Sequence, residues 1–101
     1  NLLRTSGIAV GIRTVNGDYI ISGNEDAIIL VNTDEGIIEI TLPSLAAIPG
    51  RIFWIKNIGE KKNVVELQGY EEELVEGQLL QKLHDGDTGA IAAGPSQWRF
   101  I

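Results

Sequence analysis

The chain has no cysteine, no methionine, one histidine, three prolines, and two residues each of Trp, Tyr and Phe. Without cysteine there is no disulfide framework, no thiolate nucleophile and no Cys-based zinc site. One imidazole, His84, cannot form a histidine cluster. It closes an apolar-alternating segment just before a turn and reads as a partly exposed structural residue. Basic residues are also scarce, 8 against 14 acidic ones for a net charge of −6, and they are spread along the chain. A nucleic-acid binder needs a concentrated Lys/Arg surface, so none is expected here, and anionic membranes are disfavoured for the same reason. No apolar run approaches the ~20 residues of a spanning helix, and no charged segment precedes a short apolar stretch, so neither membrane insertion nor a signal peptide is expected. At 101 residues the chain is read as one domain, 1–101. A domain of this size hides roughly 65% of its unfolded surface, which gives a thin core.

What is present is a β pattern. Isoleucine is frequent, and apolar residues recur with period two or in short blocks rather than at helical spacing. The expected strands are Ile8 to Val15, Asp18 to Ile21, Ala27 to Thr33, Ile37 to Leu42, Arg51 to Ile58, Asn63 to Gln68, Leu79 to His84, Thr88 to Ala93 and Gln97 to Ile101. Turn signals separate them: Asn16-Gly17, expected to make a type I′ hairpin, then Asp34-Glu35-Gly36, Gly59 to Lys62, and Asp85-Gly86-Asp87. Ser44 to Ile48 has helical flavour, but Pro43 and Pro49 limit it to one turn. No internal repeat is visible. The expected fold class is all-β, an antiparallel sandwich or jelly-roll-like domain.

Strand faces carry the next inference. Ile38, Ile40 and Leu42 share one face and Glu39 and Thr41 the other, as in a strand with one wet side. In Arg51 to Ile58, however, Ile52, Trp54 and Ile58 point one way and Phe53 and Ile55 the other, and Ala27 to Val31 is apolar throughout. A small two-layer domain has few places to hide both faces of a strand, so self-association is expected. Trp98 and Phe100 alternate on one face of the last strand and read as core.

Chemistry is sparse. Ser6, Ser22, Ser44 and Ser96 lie beside Gly or Pro without a nucleophile-elbow context. The run Glu71-Glu72-Glu73, with Glu76, Asp85 and Asp87, supplies carboxylates for glycoside hydrolysis, but neighbouring carboxylates in a loop read as a solvated segment. Asp85-Gly86-Asp87 resembles the start of a calcium loop, yet position twelve is Ser96 rather than a bidentate Glu, so a turn is the better reading; a metal of another kind between subunits is the alternative. Gly7-Ile8-Ala9-Val10-Gly11 has the wrong glycine spacing for a dinucleotide loop. No catalytic residue, metal ligand or cofactor is expected, and the chain is not read as an enzyme. Tyr70, beside Gly69 and the acidic run, is the candidate ligand-binding residue, because a loop Tyr next to carboxylates can stack on and hydrogen-bond a sugar.

The order of short elements across residues 18–101 is similar to a β domain found near the C-termini of bacteriophage tail-fibre, tail-spike and related virion appendage proteins. The resemblance rests on Asp18-Tyr19-Ile20-Ile21, Ala27 to Asn32, Gly36 to Pro43 ending in a "tLP" strand end, the "PGr" turn Pro49-Gly50-Arg51, the strand Ile52 to Asn57, Asn63-Val64-Val65-Glu66-Leu67, Val75-Glu76-Gly77, and the closing Gln97 to Ile101. Val75-Glu76-Gly77 stands where the family has "IdG", and Ala92 to Ser96 where a "sdGt" turn is common. The resemblance implies a homotrimeric β domain on a virion tail appendage, extracellular after release. Its implied partners are copies of itself, a host cell-surface receptor or glycan, and other virion proteins. It supplies no catalytic residue and no ligand-contacting position. Residues 1–17 then read as an N-terminal strand or as the continuation of a stalk. The expected function is a trimeric fibre tip mediating host attachment. The alternatives are a capsid decoration or vertex-spike domain and a carbohydrate-binding module of a secreted bacterial protein; the last would need a planar row of exposed aromatics.

Overall fold

The computed structural model describes residues 11–101. Among these there is no helix, and nine strands form two mixed sheets. The strands are β1 (Ile12–Val15), β2 (Tyr19–Ile20), β3 (Ile28–Val31), β4 (Ile38–Thr41), β5 (Ile52–Asn57), β6 (Val65–Gln68), β7 (Leu80–Leu83), β8 (Thr88–Ala93) and β9 (Trp98–Phe100). Each falls inside an expected strand. Residues 8–10 of the first expected strand, and Gly7 to Val10 of the glycine-containing segment, lie outside the described residues.

The pairing differs from the expected antiparallel sandwich. One sheet, here called sheet A, has the order β1-β3-β5-β8-β9, and the other, sheet B, the order β2-β4-β6-β7. β1, β3 and β5 run parallel, as do β2, β4 and β6, and only β7, β8 and β9 are antiparallel to their neighbours. The chain therefore alternates between sheets, each circuit laying one strand on A and one on B, until β7 and β8 reverse direction and close the stack. The Asn16-Gly17 hairpin is overturned for the same reason. β1 and β2 belong to different sheets, so their connection is a corner, and neither Asn16 nor Gly17 has positive φ. The turn chemistry expected there occurs instead at Glu76 (φ 48°) and Gly77 (φ 79°), which join Val75 and Gln78 in a two-residue reversal. Ser44 to Ile48 makes a single turn, the Ala47 amide donating to the Ser44 carbonyl at 3.1 Å.

Period-two patterning fills the space between the sheets. Ile29, Val31, Phe53, Ile55, Ile91, Ala93 and Trp98 face inward from sheet A, and Ile38, Ile40, Leu42, Val65, Leu67 and Leu83 from sheet B, forming one core. Trp98 is fully buried with its ring centroid 5.9 Å from that of Phe53, and Phe100 packs on the core edge. The last strand is covered along its outer edge: the Trp98 amide donates to the Leu74 carbonyl, and the Glu76 amide to the Trp98 carbonyl.

Two polar clamps hold the ends of β3. Beyond its C-terminal end, Asn57 is fully buried and makes four side-chain hydrogen bonds. Its Oδ1 accepts from Thr33 Oγ1 (2.8 Å) and the Gly59 amide (2.9 Å), and its Nδ2 donates to the carbonyls of Asn63 (3.0 Å) and Leu83 (3.1 Å). Gly59 must lack a side chain here, since a Cβ would lie 2.1 Å from Thr33 Oγ1. Before β3, Asp26 is buried, and its carboxylate accepts from the Ser22 amide, Tyr19 Oη and Arg13 Nε, while Arg51 donates to the carbonyls of Gly23 and Asp26.

Replacing Trp98 by Ala is expected to cost about 3–5 kcal/mol in denaturant unfolding, the range for emptying a buried aromatic site. Trp98→Phe should cost clearly less. Phe keeps much of the packing and removes the indole Nε1, which is buried without a partner. Equal losses in the two variants would show that packing is not what Trp98 contributes.

Candidate functional surface

Topology sorts the connections into two rims. Because the strands stack in parallel, the segments after β2, β4 and β6 all emerge on one side, and those after β1, β3 and β5 on the other. The longest, residues 42–51 and 69–79, therefore leave side by side, and the Leu45 amide donating to Glu73 Oε1 at 3.0 Å ties them together.

Tyr70 stands on this rim, 44% exposed, in a turn closed by the Glu73 amide donating to the Tyr70 carbonyl at 3.0 Å. Glu71, in the left-handed region at φ 50°, and Glu72 are exposed, whereas Glu73 is occupied with Leu45. One of the three carboxylates is therefore committed to bracing the two long connections.

On the opposite rim His84 is exposed. Its amide donates to Asp87 Oδ2 at 2.9 Å, and Asp85 Oδ2 accepts from the Lys62 amide at 2.7 Å. These carboxylates serve the backbone of two abutting turns, the role expected of Asp85-Gly86-Asp87. Gly86 supplies the positive φ (79°) the turn requires. Among the described residues no group of three or more His, Asp or Glu side chains is gathered so that it could hold a metal ion.

The Asp26 clamp carries the perturbed groups. Burial pushes the Asp26 carboxyl up, but hydrogen bonds from Tyr19, the Ser22 amide and Arg13, with the Arg13 charge, outweigh it and hold the acid below the usual carboxylate range. Tyr19 is pushed up, first by burial and then by its bond to Asp26. Every partner here is a backbone group or a side chain already engaged, so the cluster is a structural brace for the first strands. Composition gave no hint of it, because Arg13, Tyr19 and Asp26 are brought together only by the circuit of the chain.

The most unusual surface is the outer face of sheet A. Register places Ile12, Ile28, Trp54 and Ala90 in one row across four strands, and Ile101, whose amide donates to the Ala90 carbonyl, continues it. Leu30 and Lys56 lie in the row on one side, and Ile52, Ala92 and Arg99 in the row on the other. Ile12 is 62% exposed, Trp54 42% and Ile52 36%. The doubly apolar strand seen in the sequence thus buries Phe53 and Ile55 in the core and turns Ile52 and Trp54 to solvent. Among the described residues the strands of this face carry two cations, Lys56 and Arg99, and no carboxylate of their own; the Glu76 carboxylate sits at its edge, 2.8 Å from Arg99. The outer face of sheet B, by contrast, carries Glu39 and Glu66 in register with Lys82.

No family model, curated protein or solved structure matches the chain.

Acid titration should expose the Asp26 brace. A carboxyl whose folded pKa is depressed contributes stability that is present above its unfolded value, near 3.8, and is lost as pH falls through the folded value. Stability should therefore decline below about pH 4. In Asp26→Asn this share of the decline should vanish, and stability near neutrality should drop by about 1.5–3 kcal/mol, the worth of a charge-assisted hydrogen bond. Urea midpoints measured across pH for both proteins check it, and parallel profiles would rule the brace out.

Proposed function

We propose that this chain is a non-enzymatic structural domain of a phage tail appendage, a homotrimeric fibre tip that attaches to a host cell-surface receptor or glycan. The observation that carries the reading is the exposed apolar face of sheet A. Exposed Ile12, Ile52 and Trp54, joined through half-buried Ile28, form an apolar patch of the kind that soluble single copies rarely leave open. The order of the "tLP", "PGr" and closing Trp98 elements, which resembles the appendage domain, gives that assembly a biological setting.

Attachment would then be multivalent. Three weak sites held on one rigid body bind a repetitive surface with an avidity 10²–10⁴ above that of one site, roughly, provided all can engage together. The rim carrying Tyr70 suits such a site, because its two long connections are braced against each other and present an aromatic ring beside exposed carboxylates. A row of exposed aromatics, the mark of a carbohydrate-binding module, is not what this surface offers: Trp54 stands among aliphatic residues.

The full chain, labelled and incubated with bacterial cells and with isolated cell-wall polysaccharides, should bind in its assembled form. Tyr70→Ala should weaken binding about tenfold or more without changing the unfolding midpoint. Binding only to other virion proteins would favour a capsid decoration or vertex-spike role, and glycan hydrolysis lost on mutating Glu71 to Glu73 would overturn the non-enzymatic reading.

A further inference from the structure

We infer that the outer face of sheet A is the surface through which copies of this chain pack on one another, with Trp54 at its centre; the inference rests on the self-assembly part of the proposed function and assigns it a place. Three features select a second copy as the occupant.

The first is electrostatic. Each copy carries a net charge of −6, so two copies repel wherever their carboxylates meet. The strands of sheet A turn no carboxylate to this outer face among the described residues, and the one carboxylate at its edge, Glu76, is paired with Arg99, so both cations of the face are engaged. Arg99 Nη1 donates to Glu76 Oε2 at 2.8 Å, and Lys56 Nζ to the Gly86 carbonyl at 3.3 Å. Copies can therefore bring this face together with little like-charge repulsion and without stranding a lone charge.

The second is shape. Trp54 belongs to β5, the middle strand of the five, with Ile28 and Ile12 beyond it on one side and Ala90 on the other. A large indole beside small Ala90 and Ala92 makes a ridge next to a shallow floor, so the ridge of one copy can lie on the floor of another. A central aromatic with a rim of polar residues, here Thr14, Lys56, Thr88 and Arg99, is also how binding energy is usually concentrated.

The third is area. Five strands about 4.8 Å apart and about five residues long give a flat face of roughly 24 by 17 Å, about 400 Å². Three such faces turned to a common axis share about 1,200 Å² in all before side-chain relief is added, the size of a weak, concentration-dependent contact. The face is large enough to hold copies together and small enough that one charged residue at its centre should break the contact.

Acrylamide quenching and light scattering over a concentration series test this in the unmodified chain. Trp98 is fully buried, so the quenchable emission reports Trp54. The expected result is a mass that rises to a multiple of the single chain while Trp54 quenching falls several-fold over the same concentrations. Trp54→Glu should raise the concentration needed for assembly at least tenfold. Ile20→Glu, on the outer face of sheet B where Ile20 is 69% exposed, should leave it unchanged. A mass that rises while Trp54 stays quenchable, with Trp54→Glu assembling normally, would overturn the assignment of the face but leave self-assembly standing. A single copy at every concentration would overturn both. Shielding of Trp54 by anionic vesicles or polysaccharide, in a chain that stays single, would give the face a different occupant and end the inference.

Discussion

Asn57 holds the corner on which the parallel architecture depends. Parallel strands cannot be joined by tight hairpins; each needs a path that leaves the sheet and returns, and every such path exposes backbone groups that must find partners. At the rim where β5 leaves sheet A, one amide side chain supplies two donors and accepts twice, satisfying a carbonyl from the β5–β6 connection, one from β7, the Thr33 hydroxyl and the Gly59 amide. All the hydrogen-bonding capacity of an amide is used, which is what makes a buried polar residue tolerable and specific at once. Asp26 does the equivalent on the opposite rim with a charged group. β3 is thus fixed between a carboxylate brace before Ile28 and an amide brace after Val31, and the strands stacked on either side of it inherit that position.

With the corners fixed, the inner faces decide the packing and the outer faces are free to differ. Phe53, Ile55 and Trp98 fill the core. The residues between them turn outward, where ordinary patterning would place polar side chains, yet β3 and β5 present Ile28, Leu30, Ile52 and Trp54. Cross-strand contacts such as Ile28 with Trp54 account for part of that departure, but the fraction of Trp54 and Ile52 left in water contributes nothing to the stability of one copy. It is the local inconsistency expected where a sequence serves something beyond its own fold.

Much of the secondary structure was legible in the residues, because alternation at Ile38 to Leu42 and the β-branched blocks around Ile28 and Ile52 have no competing helical reading. The inward and outward sets of β4 and β5 followed from the same alternation. The pairing was not legible. Equivalent positions recur at spacings of 16 and then 26 residues in sheet A (Ile12, Ile28, Trp54) and 21 and then 27 in sheet B (Tyr19, Ile40, Leu67), so connections of unequal length erase any repeat from the sequence. Asn16-Gly17 misled because dipeptide preference is a local signal, and here the chain must cross to the other sheet, which a type I′ turn cannot accomplish. The Asp26 brace was invisible for a related reason: Arg13, Tyr19 and Asp26 belong to separate segments. Tyr70 was placed at an exposed turn by its neighbours Gly69 and Glu71, and it is found there.

Parallel stacking also separates the surfaces a fibre-tip domain would need to keep apart. The sheet faces are set by strand register and admit little variation, since a shift of one residue would turn Trp54 inward and Phe53 outward. The rims tolerate length: residues 42–51 and 69–79 are long, irregular and braced to each other through Leu45 and Glu73 rather than to the sheets alone. In such a scaffold the face of sheet A can specify how copies assemble while the loops around Tyr70 change what they contact, and neither requirement disturbs the core between the sheets. An assembly face built on loops would lack the rigidity that multivalent contact demands. A recognition site built on the sheet face would have to change the very side chains proposed to hold copies together.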